Sequence, residues 1–330
     1  MTLAWLVLQF AVCAALIGRA GFMLSTSADR LARHHGWGRG WVGLAMLATV
    51  TSLPELATGT SAVAWVDAPN LAVGDALGSC VFNLVFLVVV DGLQQRQPMY
   101  RHASATHLLT AAFGVVMLGF VAMSLVLAGK VPRLFHVGVY SPLMLSLYVL
   151  ALASVSRHER ALMAQAAAPE GEAVDPRAEW RRFALAALIV LLAGAWLPEV
   201  ADGLAQAAGL SRSFVGTLWL AFATSLPEIA VTLAALRLGA VDLAIANLLG
   251  SNLFNVVVLA VDDAVYLRGP LLADAAPVHA GTAVAAIVMT GLVMIGLVMR
   301  PQGRVLRVLS WVSVGLVAAY LMHVTLLALA

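Results

Sequence analysis

The segment Thr51-Ser52-Leu53-Pro54-Glu55 returns unchanged as Thr224-Ser225-Leu226-Pro227-Glu228, each time inside a long apolar stretch. A glutamate there places a charge in a low dielectric, and the adjacent proline breaks the backbone ladder on which a spanning helix depends. One such break could be a tolerated kink. Two matched breaks, each with an acid, mark a site. A second shared signature follows each copy: Gly78, Ser79, Phe82 and Asn83 after the first, Gly250, Ser251, Phe254 and Asn255 after the second. The likeness also extends outward. At a separation of 173 positions, Gly21 pairs with Gly194, Asp29 with Asp202, Gly36 with Gly209, and Val42-Gly43 with Val215-Gly216. By Gly78 and Gly250 the separation is 172, so the first copy holds one extra residue in the loop near Trp65–Asn70.

Composition says where this repeat resides. The 330 residues are 62% hydrophobic and 11% charged, with mean hydropathy +0.94, against about 25% charge in an ordinary soluble chain. Ten stretches of spanning length can be marked, near 3–27, 40–65, 69–91, 105–127, 134–155, 183–206, 212–237, 241–264, 278–299 and 305–328. The expected fold is an all-α integral membrane protein with ten transmembrane helices and no separate soluble domain. The first stretch has no basic region before it and no small-residue cleavage site, so it reads as a retained helix. Each half holds five stretches, an odd number, so the second half must enter the membrane from the opposite side. That is an inverted-topology repeat, a plan that places binding near the midplane. The halves are expected at 1–155 and 183–330, joined by a polar, breaker-rich cytoplasmic linker at 156–182 that contains Pro169, Gly171 and Pro176.

Orientation follows from the basic residues. With both termini outside, cytoplasmic loops carry 14 of the 19 Lys and Arg residues; outer loops carry Lys130, Arg133, Arg212 and Arg268, and Arg19 falls within the first helix. The positive-inside rule therefore favours N-out and C-out in a cell membrane crossed by multiple passes. Cys13 and Cys80 both fall in predicted spans and read as free apolar thiols. The histidines are scattered through loops and helix ends and gather no metal site.

Pro54 and Pro227 deprive the carbonyls of Val50 and Ala223 of their usual partners. Those carbonyls, the hydroxyls of Thr51, Ser52, Thr224 and Ser225, and the carboxylates of Glu55 and Glu228 make an all-oxygen set. Oxygen with carboxylate suits hard cations such as Ca²⁺, Na⁺, Mn²⁺ or Mg²⁺, whereas zinc and copper favour His or Cys. Two glutamates would neutralise one divalent ion, which makes burying both tolerable. Ser79 and Asn83 share one helix face at i, i+4, as do Ser251 and Asn255, and Gly78 and Gly250 permit close helix approach. Asp75, one turn before Ser79, has the neutral Asn247 as its counterpart; it either adds a third negative charge beside the cation or accepts hydrogen bonds from a loop. Asp91 and Asp263 match each other near helix ends and read as vestibule or interface residues rather than ligands.

These residues resemble the cation/calcium exchanger superfamily, whose two alpha repeats carry the T-S-x-P-E and G-S-N-x-F-N patterns. The resemblance covers both repeats, the flanking first and sixth helices and the ten-span count. It implies the fold of prokaryotic sodium/calcium exchangers. It also implies Ca²⁺ held by Glu55, Glu228, Thr51 and Thr224, and Na⁺ held by Ser52, Ser79, Ser225, Ser251 and the Ala48 and Ala221 carbonyls together with the glutamates. The family's central polar pair falls on Asn83 and Asn255. Five positions depart from the pattern. Val50 and Ala223 stand where glycine is usual, Gly74-Asp75 and Ala246-Asn247 replace Gly-Asn, and Cys80 replaces the asparagine before Val-Phe-Asn.

The expected activity is secondary antiport of Ca²⁺, or a similar divalent cation, against Na⁺ by alternating access. The transported ions and the lipid bilayer are the partners, and no cofactor and no nucleic acid are involved. A proton-coupled cation antiporter of the same fold is the nearest alternative; the more acidic second motif typical of that branch is missing. A passive channel would need a continuous polar pore, which these few polar positions do not supply. An enzyme is not expected, since no His–Asp, Ser–Lys or H-E-x-x-H arrangement sits at membrane depth.

Overall fold

Helices follow the apolar stretches because a backbone without water must satisfy its own polar groups within the segment. The structure is a computed structural model that describes residues 3–65, 67–94, 98–101, 103–165, 175–207, 221–305 and 308–329. Helix α1 spans Leu3–His35. The second stretch is divided into α2 (Arg39–Val42), a π-helical turn (Gly43–Leu47), α3 (Ala48–Thr51) and α4 (Leu53–Ala64). Next come α5 (Pro69–Leu93), α6 (Thr106–Leu127), a small hairpin of β1 (Arg133–Leu134) and β2 (Val137–Gly138), α7 (Tyr140–Gln165) and α8 (Pro176–Ala207). The second half continues with α9, described over 221–224, then α10 (Leu226–Arg237), α11 (Val241–Val265), a short α12 (Leu271–Asp274), α13 (Val278–Met299) and α14 (Trp311–Leu329).

Among the described residues six helices are long and apolar enough to cross a bilayer, or seven when the bent pair 39–51 and 53–64 counts as one broken span. Helices α7 and α8, 26 and 32 residues long with charged ends, correspond to the fifth and sixth stretches. The opening part of the seventh stretch, 212–220, lies outside the described residues. Helix also reaches into the expected linker from both sides, to Gln165 and from Pro176, and 166–174 lie outside the described residues. Outward apolar side chains such as Val7, Leu8 and Val12 on α1 and Leu321, Met322 and Leu326 on α14 are half exposed or more. Such faces suit lipid and would be a liability in water.

The chain divides into two units, Met1–Pro54 with Leu152–Ser251 and Glu55–Ala151 with Asn252–Ala330. In the first unit α1 packs along α8 and α10, burying Leu24, Leu31, Leu47, Phe183, Val231 and Leu243. Helix α1 can approach closely because Gly21 lacks a Cβ, which would sit 2.9 Å from that of Ala230. At the His35 end of α1, Asp29 pairs with Arg33 and Arg39, and Glu179 receives Ser27 Oγ (2.8 Å) and the guanidinium groups of Arg30 and Arg182 (3.0 and 2.7 Å). Burial pushes the Glu179 carboxyl up, but the Ser27 and Arg30 hydrogen bonds and the Arg30 and Arg182 charges outweigh it and hold it below its ordinary value. The short α2 has no side-chain cap of its own; Glu159 of α7 accepts from the Trp41 N–H at 3.0 Å across the space that Gly38 leaves open.

In the second unit α13 packs on α5, α6 and α14. Two buried aspartates reveal the repeat in bond-by-bond detail. Asp91 accepts from the Met99 N–H (3.0 Å), the Ser310 N–H (2.8 Å) and the Ser313 hydroxyl (2.7 Å). Asp263 accepts from the Leu271 N–H (2.6 Å), the Gly138 N–H (2.8 Å) and the Ser141 hydroxyl (2.5 Å), with the Tyr140 hydroxyl added at 2.7 Å. Every matched donor lies 172 positions from its counterpart. Each aspartate caps the start of the helix that closes the other half, α14 or α7. A carboxylate there satisfies orphan N–H groups and complements the helix dipole. The expectation of vestibule or interface residues is thus refined to loop anchors.

Candidate functional site

The repeated motif falls at a break in the helix. Ser52 leaves helical geometry at φ −92°, ψ 10°, α4 starts at Leu53 with Pro54 in its first turn, and the two segments bend by 43°. Ser225 (φ −81°, ψ 1°) makes the same break before α10, with Pro227 in the first turn. Proline cannot donate to the carbonyl four residues back, so both helices restart at that point. Each restart puts its glutamate, Glu55 or Glu228, in the first turn of the new helix, where the dipole favours an anion.

In the first unit Glu228 is fully buried. Its Oε1 accepts from the Ser52 hydroxyl at 2.8 Å and the Ser251 hydroxyl at 3.2 Å. Its Oε2 has no hydrogen-bond partner among the described residues. Thr51 Oγ1 lies 3.5 Å from both Ser251 Oγ and Asn247 Oδ1 while donating to the Leu47 carbonyl at 3.0 Å, with Ala48 O at 3.3 Å. Thr224 likewise lies 3.3 Å from the Ala221 carbonyl. The Ala48 and Ala221 carbonyls also accept from Ser52 and Ser225 N–H, both at 3.1 Å. Asn247 fixes the glutamate backbone, with Nδ2 3.4 Å from Glu228 O and 3.2 Å from Thr232 Oγ1. Close packing makes this possible: a Cβ on Gly250 would lie 2.8 Å from Ala48 Cβ, and one on Gly43 would lie 2.5 Å from Ala246 Cβ.

In the second unit Glu55, Asp75, Ser79, Asn83 and Asn255 are all buried. Glu55, Asp75 and Ser79 each make polar or electrostatic contacts. Asn83 Nδ2 donates to Asn252 Oδ1 at 3.1 Å, and Asn252 Nδ2 donates to the Cys80 carbonyl at 3.1 Å. Asn83 thus bonds Asn252 rather than Asn255, and Asn255 Oδ1 is buried with no hydrogen-bond partner among the described residues. Cys80 and Asn252 are repeat counterparts 172 positions apart, so the departure at Cys80 hid the importance of Asn252. Cys13 and Cys80 are buried free thiols. Sequence reading also missed Thr232 as the partner of Asn247, because the repeat counterpart of Thr232 is Gly59, which has no side chain.

These two clusters contain carboxylate, hydroxyl, amide and carbonyl oxygen. Among the described residues no group of three or more His, Cys, Asp or Glu is gathered as it would be for a transition metal. The donors fit a hard cation held by few charges and many neutral oxygens.

The family described as "Sodium/calcium exchanger protein" matches residues 5–156 and 180–328. The chain is 26% identical over 223 residues to the inner membrane protein YrbG of Escherichia coli K12, a match covering 66% of each, just under two thirds of that protein's length. It is 27% identical over 242 residues to the membrane protein MJ0091 of Methanocaldococcus jannaschii, covering 69% of this chain and 71% of that one. Its fold is that of the sodium-calcium exchanger NCX_Mj, with TM-score 0.75 at 21% identity over 98% of this chain and 99% of the other. The fold is thus all-α and membrane-spanning, that of an exchanger rather than an enzyme, and the expected ten-helix inverted repeat is consistent with it, although six or seven of the described helices qualify as spans. The chain belongs to the sodium/calcium exchanger protein family, a family of membrane cation antiporters.

Proposed function

We propose that the chain exchanges Ca²⁺, or a divalent cation of similar size, for Na⁺ by alternating access. The observation that carries this is Glu228: a fully buried carboxylate with hydroxyls of Ser52 and Ser251 on one oxygen and no hydrogen-bond partner on the other among the described residues. A buried anion in that condition is completed by a cation. Glu55 and Glu228 carry the charge of the bound ion. Thr51 and Thr224 supply further Ca²⁺ ligands. Ser52, Ser79, Ser225, Ser251 and the Ala48 and Ala221 carbonyls serve Na⁺, and Asn83 and Asn255 add amide oxygens to the cation site.

Ca²⁺ and Na⁺ are both hard ions that accept these oxygens, so each displaces the other. A bare buried carboxylate costs about 2.5–3.5 kcal/mol even on the lenient insertion scale. The empty transporter therefore resists switching sides, which couples the two fluxes. The protein lies in a prokaryotic inner membrane with both termini outside, and its halves are 1–155 and 183–330 around a cytoplasmic 156–182 segment.

The test is ⁴⁵Ca²⁺ uptake into proteoliposomes under an outward Na⁺ gradient, with a pH gradient and no Na⁺ in a second arm. Uptake driven by Na⁺ supports the reading. Uptake driven by the pH gradient alone transfers it to proton coupling, and non-saturable uptake without counter-ion to a channel.

A further inference from the structure

We propose that Asp262 and Asp75 form a second cation-binding position, one helical turn beyond Glu55 in the Glu55–Ala151/Asn252–Ala330 unit. Three helices carry the argument. On α4, Gly59 follows Glu55 by four residues, so it shares that face about 6 Å further along. On α5, Asp75 precedes Ser79 by four. On α11, Asp262 follows Asn255 by seven, again the same face. The helices that present the motif residues thus present Gly59, Asp75 and Asp262 as a further layer.

That layer is built around an unsatisfied charge. Asp262 is fully buried, and neither carboxylate oxygen has a hydrogen-bond partner among the described residues. It reaches the backbone of α4 only because residue 59 is glycine: a Cβ there would fall 2.2 Å from Oδ2 and 2.9 Å from Cγ. The buried Asp75 carboxylate acts on it electrostatically. The other half shows what a closed version looks like. There Gly59 is replaced by Thr232, Asp75 by Asn247 and Asp262 by Val90, and Asn247 donates to Thr232 at 3.2 Å. One half closes the position with a neutral hydrogen bond, while the other removes a side chain and inserts two acids. A buried carboxylate with no hydrogen-bond partner among the described residues, in the field of a second carboxylate, calls for a positive partner. Carboxylate oxygens without His or Cys take a hard cation, of the class the proposed function moves. With both termini outside, this is the outer side of Glu55, where a staging position would raise the cation concentration next to the motif.

The inference rests on the proposed function only for the class of ion, and binding can be read apart from exchange. Ca²⁺ alone is titrated calorimetrically into the full-length protein carrying Glu55→Gln and Glu228→Gln, which lacks the motif charges. A residual class of Ca²⁺ sites is expected, weakened at least about tenfold when Asp262→Asn is added, since affinity follows ligand charge. Should the Asp262→Asn protein fail to give a monodisperse peak, Asp75→Asn replaces it with the same expected loss. Added Ca²⁺ should also raise the melting temperature of the double variant and not of the triple. No residual binding in the double variant, or residual binding indifferent to both aspartates, overturns the inference and leaves the exchange reading standing. Residual binding at the aspartates in a protein that performs no exchange does the reverse.

Discussion

Replacing Glu228 by glutamine isolates charge from shape. The Ser52 and Ser251 hydroxyls sit 2.8 and 3.2 Å from Oε1, and a glutamine carbonyl at that place still accepts both. What is lost is a unit negative charge. At an effective dielectric of about 20, unit charges about 4 Å apart attract by roughly 4 kcal/mol, which corresponds to about a thousandfold in Kd. Glu228→Ala differs in kind: it also strands two buried hydroxyls, at about 1–3 kcal/mol each. Isothermal titration with Ca²⁺ in detergent, together with thermal unfolding, separates the two. We expect Glu228→Gln to bind Ca²⁺ about three orders of magnitude more weakly at near wild-type melting temperature, and Glu228→Ala to lose both. Wild-type Ca²⁺ affinity in a folded Glu228→Gln protein would refute the reasoning.

Further outcomes follow from the packing. Asp91→Asn and Asp263→Asn should each lower the melting temperature to a comparable degree, because the matched donors at 99 and 271, 310 and 138, 313 and 141 each lose a charged acceptor worth about 1.5–3 kcal/mol per bond; a neutral effect at either would contradict the mirrored anchoring. Gly250→Val forces a side chain against Ala48 and Leu44 and should destabilise by about 1–3 kcal/mol in chemical unfolding. The Glu179 carboxyl lies below its ordinary value of 4.5 in the folded protein, so its stabilisation is present above that pH and lost as pH falls through the lowered folded value. Melting curves taken across that acid range should drop more steeply for wild type than for Glu179→Gln.

The broken helices and their glutamates were legible because a proline and an acid in an apolar stretch carry a cost that only a site justifies, and duplication removed coincidence. The polar neighbourhood was less so. Ser52 and Ser251 reach Glu228 from positions 176 and 23 residues away, which spacing along one helix does not reveal. Asn252 escaped because its counterpart is a cysteine, and a search for matched residues passes over mismatched ones. Asp262 escaped for the same reason, its counterpart being Val90. Asp91 and Asp263 were found by matching, yet their role depends on donors up to 222 residues distant. The expected linker was read from proline, glycine and charge, while α7 and α8 carry their helices into it through Glu159 and Glu179, which bond back to Trp41 and Ser27.

Whether Na⁺ and Ca²⁺ contend for the motif oxygens is settled most directly by equilibrium ⁴⁵Ca²⁺ binding to the purified wild-type protein at rising Na⁺, with choline holding ionic strength constant. We expect the apparent Ca²⁺ affinity to fall steadily as Na⁺ rises, with bound Ca²⁺ fully displaced at saturation. Ca²⁺ binding that is indifferent to Na⁺ would contradict exchange through a shared set of buried carboxylates and hydroxyls.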